Sequence, residues 1–199
     1  MWTIGVGVDD IPKEDVTDFL ATVGSLIIGW SGVELALGHL YCMATGAHGR
    51  MITPFFESIE AAYFAINSFE GRLAMNNAAM VRMHRVRDGA LITDWNVLAD
   101  KINRKWRSRS LVAHSGMFGS CEKKRGRQIW LSPAPHVSSA VRRKNGKAQQ
   151  FYKSDLEGLK KDFNSLHAEI EKFSLRCFSA MTPTKSESPK RHPPRPSHT

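Results

Sequence analysis

Apolar residues recur at helical spacing along most of the chain. The first stretch alternates steps of four and three residues, which describes one face of a helix from about Lys13 to Met43. Its apolar positions are Phe19, Val23, Leu26, Trp30, Val33, Leu37 and Leu40. A stripe of small residues on the same segment would let a neighbouring backbone approach closely, and it consists of Ser25, Gly29, Gly32 and Ala36. The pattern therefore predicts a long first helix packed inside a bundle.

The same period predicts three further helices before residue 119. The second is expected to begin at Pro54, with Thr53 as its cap, and to bend or end at Gly71. A third covers residues 72–86, and a fourth starts near Asp94 after a turn. The apolar positions of the fourth helix lead evenly into the stretch NRKWRSRSLVAHSGMF at residues 103–118, and they are Leu91, Trp95, Leu98, Ile102 and Trp106.

After Gly119 the pattern changes to two short segments typical of strands, RQIWLSPAP and QQFYKS. Asn145-Gly146 between them is a tight-turn signal, so we expect an inserted hairpin over about residues 120–153. Ser154 and Glu157 predict a capping box that opens a last helix. The apolar face of that helix is Leu156, Leu159, Phe163, Leu166, Ile170, Phe173 and Cys177. These elements predict a mainly α fold, an antiparallel helical bundle with a small inserted β-hairpin.

Composition sets the limits of the domain. The 199 residues, 42% of them hydrophobic, suit one folded domain. We expect an N-terminal extension at residues 1–12, the bundle at 13–180, and a disordered, proline-rich basic tail at 181–199. The uncharged stretch at 19–33 is shorter than the roughly 20 residues that a bilayer needs, which favours a buried helix over a membrane span. Three cysteines without a CxxC pair fit a reducing cytosol, so we expect a cytoplasmic protein.

Basic residues are concentrated in one part of the chain. The formal net charge is +9, and residues 101–153 hold fourteen of the 28 Lys and Arg with one acid, Glu122. Clustered cations favour a nucleic-acid partner, because each neutralised phosphate releases counterions. A solvated loop that happens to be basic is the alternative. The candidate RNA-binding residues are Arg104, Lys105, Arg107, Lys123, Lys124, Arg125, Arg142 and Arg143.

Arg109 and His114, separated by SLVA, form a candidate catalytic pair. Each also has a structural interpretation. An imidazole near a helix C-terminus gains from the helix dipole, and Ser115-Gly116 is typical of a helix end. Arg109 could be one more cation on a solvated face. Arg107 also precedes His114, with six residues between them, so spacing leaves open which arginine is the partner.

Glu34 is an unusual residue for its position on the first helix. It lies on an apolar stripe, where a carboxylate needs a cationic partner to offset desolvation. Arg109 is the candidate for that partner, with Arg72 and Arg107 as rivals. A glutamate that extends to solvent from the edge of the bundle is the ordinary alternative.

The segment RSRSLVAHSGMF resembles the signature of HEPN-domain proteins: Arg, a polar residue, three largely apolar residues, His, a small residue and Gly. The first helix is also similar, since WSGVELAL places Glu34 where many members carry an acid. The resemblance implies an all-α bundle with an Arg-x4–6-His motif on a late helix. It further implies a metal-independent endoribonuclease that acts as a homodimer, in a toxin–antitoxin or phage-defence setting. Ser110 departs from the family pattern, because active members usually have Asn, Asp or His there.

The chemistry of these side chains permits RNA cleavage. Histidine can move the proton of a 2′-OH near neutral pH, and the fork of arginine can hold a phosphate. We therefore expect His114 to act as general base or acid, Arg109 to clamp the phosphate, and Ser110 and Glu34 to orient them. Positions five apart on a helix differ by about 140°, so either His114 lies past the helix end or a partner chain completes the site.

The expected partners are RNA, a second copy of the chain and a cognate inhibitor protein, with no metal, cofactor or membrane. Two alternatives stay open. The first is a non-catalytic HEPN-like module that binds RNA or a protein, which the departure at Ser110 favours. The second is a structural helical protein whose basic hairpin contacts an acidic partner.

Overall fold

A computed structural model describes residues 11–46, 54–86, 89–122, 126–134, 143–144 and 147–181. Within these ranges the fold is mainly α, with a small antiparallel sheet. The helices are α1 (Lys13–Ala44), α2 (Pro54–Phe64), α3 (Phe69–Val86), α4 (Gly89–Ala113) and α5 (Lys153–Met181). The strands are β1 (Ser115–Glu122), β2 (Gly126–Pro133), β3 (Arg143–Lys144), β4 (Lys147–Ala148) and β5 (Phe151–Tyr152). The expected N-terminal extension and C-terminal tail fall almost entirely outside the described residues.

α1 is the central helix, and its bounds confirm the prediction from the apolar period. All seven of its predicted apolar positions are buried. The stripe of small residues faces α5: a Cβ placed on Gly29 would lie 3.4 Å from Asn164 Oδ1, and one on Gly32 would lie 3.8 Å from His167 Nδ1. The absence of side chains at these positions lets α1 and α5 pack closely. The predicted apolar face of α5 is likewise in the core.

The outer side of α1 carries apolar residues that the bundle does not cover. Leu20, Ile28 and Leu35 are 43%, 73% and 46% exposed. By length and composition α1 could cross a membrane, and 33% of its most apolar 18-residue window is buried. The helix thus combines one face in the core of the bundle with a second, exposed apolar face.

The break between α2 and α3 does not fall at the predicted glycine. α2 begins at Pro54 as expected, but it ends at Phe64, and α3 begins at Phe69. The cause is Ser68, whose hydroxyl accepts a hydrogen bond of 3.0 Å from the backbone N–H of Gly71 and caps α3. Gly71 therefore lies in the first turn of α3. Thr53, the predicted cap of α2, lies outside the described residues.

Two other helix starts also differ from the predictions. α4 begins at Gly89 rather than near Asp94, because Leu91 packs in the core together with Trp95 and extends the helix by a turn. The predicted capping box of Ser154 and Glu157 is wrong by two residues. The N–H of Tyr152 instead donates to Asp155 Oδ2 at 2.9 Å, so Asp155 is the acid that closes the start of α5.

The sheet has three strands in the order β1-β2-β5, all antiparallel to their neighbours. Its long hairpin joins β1 to β2 in the register Ser115↔Pro133 to Glu122↔Gly126. The prediction placed one hairpin over about residues 120–153 and missed β1, because Ser115-Gly116 indicated a helix end and gave no sign of a strand. The short strands β3 and β4 pair with each other on either side of the predicted turn, with Lys144 opposite Lys147. The turn residues Asn145 and Gly146 lie outside the described residues.

Candidate active site

α4, with His114 directly after its end and Glu70 on α3, borders a cleft of about 540 Å³ on the surface of the bundle. The cleft contains the imidazole predicted from sequence, one of the two candidate arginines, and several polar groups. Its lining residues are Glu70, Asn103, Trp106, Arg107, Ser110, Leu111 and His114. Apart from Glu70 on α3, all of them lie on one side of α4 or directly after its end.

His114 occupies the junction between α4 and β1. The backbone N–H of His114 donates to the carbonyl of Ser110 at 3.1 Å, which completes the last turn of the helix. Its own carbonyl accepts a hydrogen bond of 3.0 Å from the N–H of Ala134 at the end of β2. The backbone is therefore held from the helix and from the sheet, while the side chain is exposed on the cleft.

The junction is reinforced by the next residue. Ser115 is buried, 6% exposed, and its hydroxyl donates to the carbonyl of Leu111 at 2.7 Å. This hydrogen bond occupies one of the carbonyls that a helix leaves unpaired at its C-terminus. The pattern Ser115-Gly116 does end the helix, as predicted, but it also starts a strand, so His114 is fixed on both sides.

Arg107 is the arginine that shares the cleft with His114. Seven positions correspond to about two turns of a helix, so residues seven apart lie on nearly the same face. Arg107 is exposed and lines the cleft, whereas Arg109 is not among the lining residues. Of the two spacings, the one with six intervening residues is the one that places an arginine in the cleft beside His114.

Arg109 lies over the ring of Trp106, with Cζ 5.2 Å from the ring centroid. Its Nε is buried and has no hydrogen-bond partner among the described residues. A cation above an indole ring is favourable, which offsets part of the cost of that unpaired donor. Arg109 therefore contacts the ring of Trp106, which lines the cleft, without lining the cleft itself.

Trp106 is a fixed wall of the cleft. Its ring stacks on Phe69 with centroids 4.5 Å apart, and it lies 5.8 Å from the ring of Trp30. Its indole N–H donates to Glu70 Oε1 at 2.8 Å. This hydrogen bond orients the carboxylate of Glu70, the one acid among the lining residues. Asn103 and Glu70 had not been identified from the sequence, because neither belongs to the Arg/His motif and Glu70 contacts a residue of another helix.

Glu34 does not pair with Arg109, so that prediction is wrong. Its Oε1 accepts hydrogen bonds from Arg72 at 3.1 Å and from the indole N–H of Trp30 at 3.0 Å. The side chains of Glu34 and Arg72 are only 22% and 14% exposed. Arg72, one of the two rivals, is the partner because it lies on α3, which packs against α1.

A buried polar chain continues from this ion pair. Asn76 is fully buried, and its Nδ2 donates to the hydroxyl of Tyr63 at 2.8 Å and to the carbonyl of Arg72 at 3.2 Å. Burial raises the pKa of Tyr63 well above its usual value. Glu34 is therefore part of a network that joins α1, α2 and α3, away from the lining of the cleft.

Some of the clustered cations form ion pairs with acids of the helical bundle. Lys105 forms an ion pair with Asp162, and Lys101 forms one with Glu169, so both link α4 to α5. Arg127 lies 3.6 Å from Asp15, and Lys153 pairs with Asp18. Arg104 and Arg107 are exposed and have no carboxylate partner among the described residues. The surface around α4 is thus less basic than the number of Lys and Arg residues in the sequence suggests.

The other predicted RNA-binding residues cannot be placed. Lys123, Lys124, Arg125 and Arg142 lie outside the described residues, and for Arg143 only the backbone is described. Among the residues whose structure is described, no three of His, Cys, Asp and Glu come together as a metal-binding group. No family model matches the chain, and neither a curated protein nor a solved structure does.

Proposed function

We propose that this chain is a HEPN-like endoribonuclease that cleaves RNA without a metal ion, with His114 and Arg107 as its catalytic pair. The observation that carries the proposal is the presence of these two side chains in one cleft of about 540 Å³. Ser110, Asn103 and Trp106 line the same cleft and supply hydroxyl, amide and aromatic groups for a nucleotide. The net charge of +9 favours a polyanionic substrate.

The proposed reaction uses the 2′-OH of the RNA as nucleophile. His114 takes the proton of that hydroxyl, and the 2′-oxygen attacks the adjacent phosphorus. The bond from phosphorus to the 5′-oxygen breaks, the 5′-oxygen is protonated, and a 2′,3′-cyclic phosphate remains. Arg107 holds the phosphate oxygens on which charge develops. In a homodimer the His114 of a second copy would supply the proton for the leaving group.

Arg109 and Ser110 have supporting roles in this scheme. Arg109 stacks on Trp106 and so supports the wall of the cleft. The carbonyl of Ser110 accepts from the N–H of His114, and its hydroxyl is available to a phosphate or to the imidazole. Glu34 stabilises the packing of α1 against α3 and does not contact the substrate, because its charge is neutralised by Arg72.

The test is cleavage of a fluorescent single-stranded RNA in EDTA by the parent protein and four variants, His114→Ala, Arg107→Ala, Arg109→Ala and Arg104→Ala. His114→Ala and Arg107→Ala should each lower the rate about 100-fold or more, since general acid–base and electrostatic stabilisation each contribute at least this much. Arg104→Ala is the matched control, because Arg104 is exposed on α4 but does not line the cleft. It should keep the parental cleavage rate at saturating RNA, even though removal of a phosphate contact weakens binding. A substrate with a 2′-deoxy nucleotide at the cleavage position should stay intact.

Two results would overturn the proposal. One is cleavage by His114→Ala at the parental rate. The other is loss of activity in Arg109→Ala, with native circular dichroism, while Arg107→Ala stays fully active. The second result would return the catalytic role to Arg109.

A non-catalytic RNA-binding module is the second candidate. It is favoured by Ser110, which stands where active members of the resembled family usually carry Asn, Asp or His. This candidate predicts that the parent protein binds RNA in a salt-dependent manner but leaves it uncut in the assay above.

A further inference from the structure

Three aromatic side chains, one from each strand, form a row across one face of the sheet. Phe118 on β1 pairs with Trp130 on β2, which in turn pairs with Tyr152 on β5. The ring centroids of Phe118 and Trp130 are 6.3 Å apart with planes inclined by 19°, and those of Trp130 and Tyr152 are 6.2 Å apart. The three rings therefore form a continuous row, which we call the aromatic platform.

The aromatic platform lies on the face of the sheet that does not form the core. The alternate residues Met117, Leu131 and Phe151 are 3%, 0% and 5% exposed and belong to the main hydrophobic core. Each ring of the platform is partly exposed. An antiparallel sheet with one face on the core and the other in solvent requires apolar residues only on the core face. The three aromatic residues in register on the solvent face are therefore available to bind a ligand.

Groups that form hydrogen bonds surround the aromatic platform. Ser120 pairs with Gln128 beside Phe118 and Trp130, and both side chains are partly exposed. Ser132 follows on β2, and the hydroxyl of Tyr152 donates to Gln150 Oε1 at 2.8 Å. Hydroxyl and amide groups can donate to and accept from the edges of any base.

The sequence that joins the three strands is basic, which favours a partner with a phosphate backbone. The segments that join the three strands in sequence contain seven cations and no acid: Lys123, Lys124 and Arg125 between β1 and β2, and Arg142, Arg143, Lys144 and Lys147 between β2 and β5. A polyanion that carries flat apolar groups fits this combination. An acidic peptide would satisfy the cations but would leave three aromatic rings without stacking partners.

The first ring of the aromatic platform lies on the strand that follows His114. His114 immediately precedes β1. It is separated from Phe118 by an even number of positions, as residues on one face of a strand are, and His114 is exposed while Phe118 is partly exposed. Phe118 is four residues from His114, which corresponds to about 13 Å along a strand. A single nucleic-acid strand could therefore contact the platform and the cleft together.

We propose that the aromatic platform binds unpaired bases of single-stranded RNA by stacking, with the strand leading into the His114 cleft. The inference rests on the proposed RNA substrate, and it adds that the substrate is single-stranded. Bases in a duplex are stacked on each other and cannot lie on aromatic side chains. Stacking on protein rings tolerates any base sequence, so binding is expected without strong sequence preference.

The test measures binding of fluorescein-labelled 12-mers to the full chain in the His114→Ala background, which prevents cleavage. The ligands are oligouridylate, oligoadenylate, the corresponding single-stranded DNA and an RNA duplex. Trp130→Leu keeps an apolar side chain but removes the ring, and it should weaken binding of single-stranded RNA about tenfold. Phe178→Leu is the matched control, because Phe178 is a 42% exposed aromatic residue on α5.

The outcomes separate this inference from the proposed ribonuclease activity. Weaker binding in Trp130→Leu with parental binding in Phe178→Leu supports the aromatic platform, whether or not the parent cleaves RNA. Parental binding in Trp130→Leu, tighter binding of the duplex, or no binding of any oligonucleotide would overturn it. If Trp130→Leu loses its native circular dichroism, Phe118→Leu and Tyr152→Leu decide by the same criteria. Equal affinity for single-stranded DNA would show that the platform does not distinguish RNA from DNA by the 2′-OH. This result would overturn RNA as the proposed ligand.

Discussion

Glu34 and Arg72 form an ion pair of 3.1 Å between α1 and α3, and Trp30 donates to the same carboxylate oxygen. The two side chains are mostly buried. Removal of either partner would leave a charge in a poorly hydrated site, which is costly, whereas replacement of both by apolar residues of similar size is often tolerated.

We therefore predict that Glu34→Ala and Arg72→Ala each lower the free energy of unfolding by about 2 kcal/mol, less than for a fully buried pair. The double variant Glu34→Met/Arg72→Met should be more stable than either single variant. Urea unfolding followed by circular dichroism measures these changes. The control is Asp94→Asn, which breaks an exposed pair with Arg176 and should change stability by less than about 1 kcal/mol. Equal losses in the control and in Glu34→Ala would contradict the prediction.

Two glycines of α1 should respond oppositely to the same substitution. A Cβ on Gly24 would meet no atom within 4 Å, but one on Gly38 would lie 2.8 Å from the ring of Phe64. Gly24→Ala should raise the free energy of unfolding by about 0.5–1 kcal/mol, because alanine restricts the unfolded chain and favours helix. Gly38→Ala should lower it by about 1 kcal/mol through overpacking. Thermal and urea unfolding would refute this contrast if both variants shifted stability in one direction.

Arg104 and Lys105 are adjacent cations that should differ in their effect on RNA binding. Arg104 is exposed without a described partner, whereas the ammonium of Lys105 pairs with Asp162. Each phosphate contact to a single strand contributes about 0.7 to the slope of log affinity against log salt. Arg104→Ala should reduce that slope by about this amount, and Lys105→Ala by clearly less. Titrations between 50 mM and 200 mM salt test the difference, and equal slopes for both variants would count against it.

The buried thiols of Cys42 and Cys177 should make stability fall at alkaline pH. Burial raises the pKa of each from 9.0 to about 11, and for Cys42 the nearby charge of Glu60 adds to the effect. The folded state thus favours the neutral thiol. This contribution is complete below pH 9 and is lost as the pH rises from 9 to 11, by about 1 kcal/mol per thiol at pH 10.

Urea unfolding at pH 8 and pH 10 measures this loss, and Cys177→Ala should have a smaller dependence on pH than the parent. A second readout is thiol modification in a Cys121→Ser variant, in which Cys42 and Cys177 should react only after urea unfolds the protein. Rapid modification of both thiols in the native state would show that they are not buried.

Helical periodicity predicted the elements that depend on one face of a helix. The apolar steps of α1 and α5 and the small residues Gly29 and Gly32 gave the correct core, because burial requires these residue types at these spacings. β1 could not be recognised in the same way. Its buried positions include Ser115 and Gly119, which have no apolar side chain, so the alternation that marks a strand was hidden. Phe118, the residue of the aromatic platform on the other face of β1, was missed with it.

The sequence by itself determined that a basic, mainly helical chain carries an arginine and a histidine near the end of one helix. Tertiary structure alone decided which arginine shares a cleft with His114, since Arg107 and Arg109 differ only by a rotation of about 200° around α4. It also decided that Glu34 binds Arg72, and that Phe118, Trp130 and Tyr152 form one row. Such relationships join residues on different elements, and they depend on how helices and strands pack rather than on spacing along the chain.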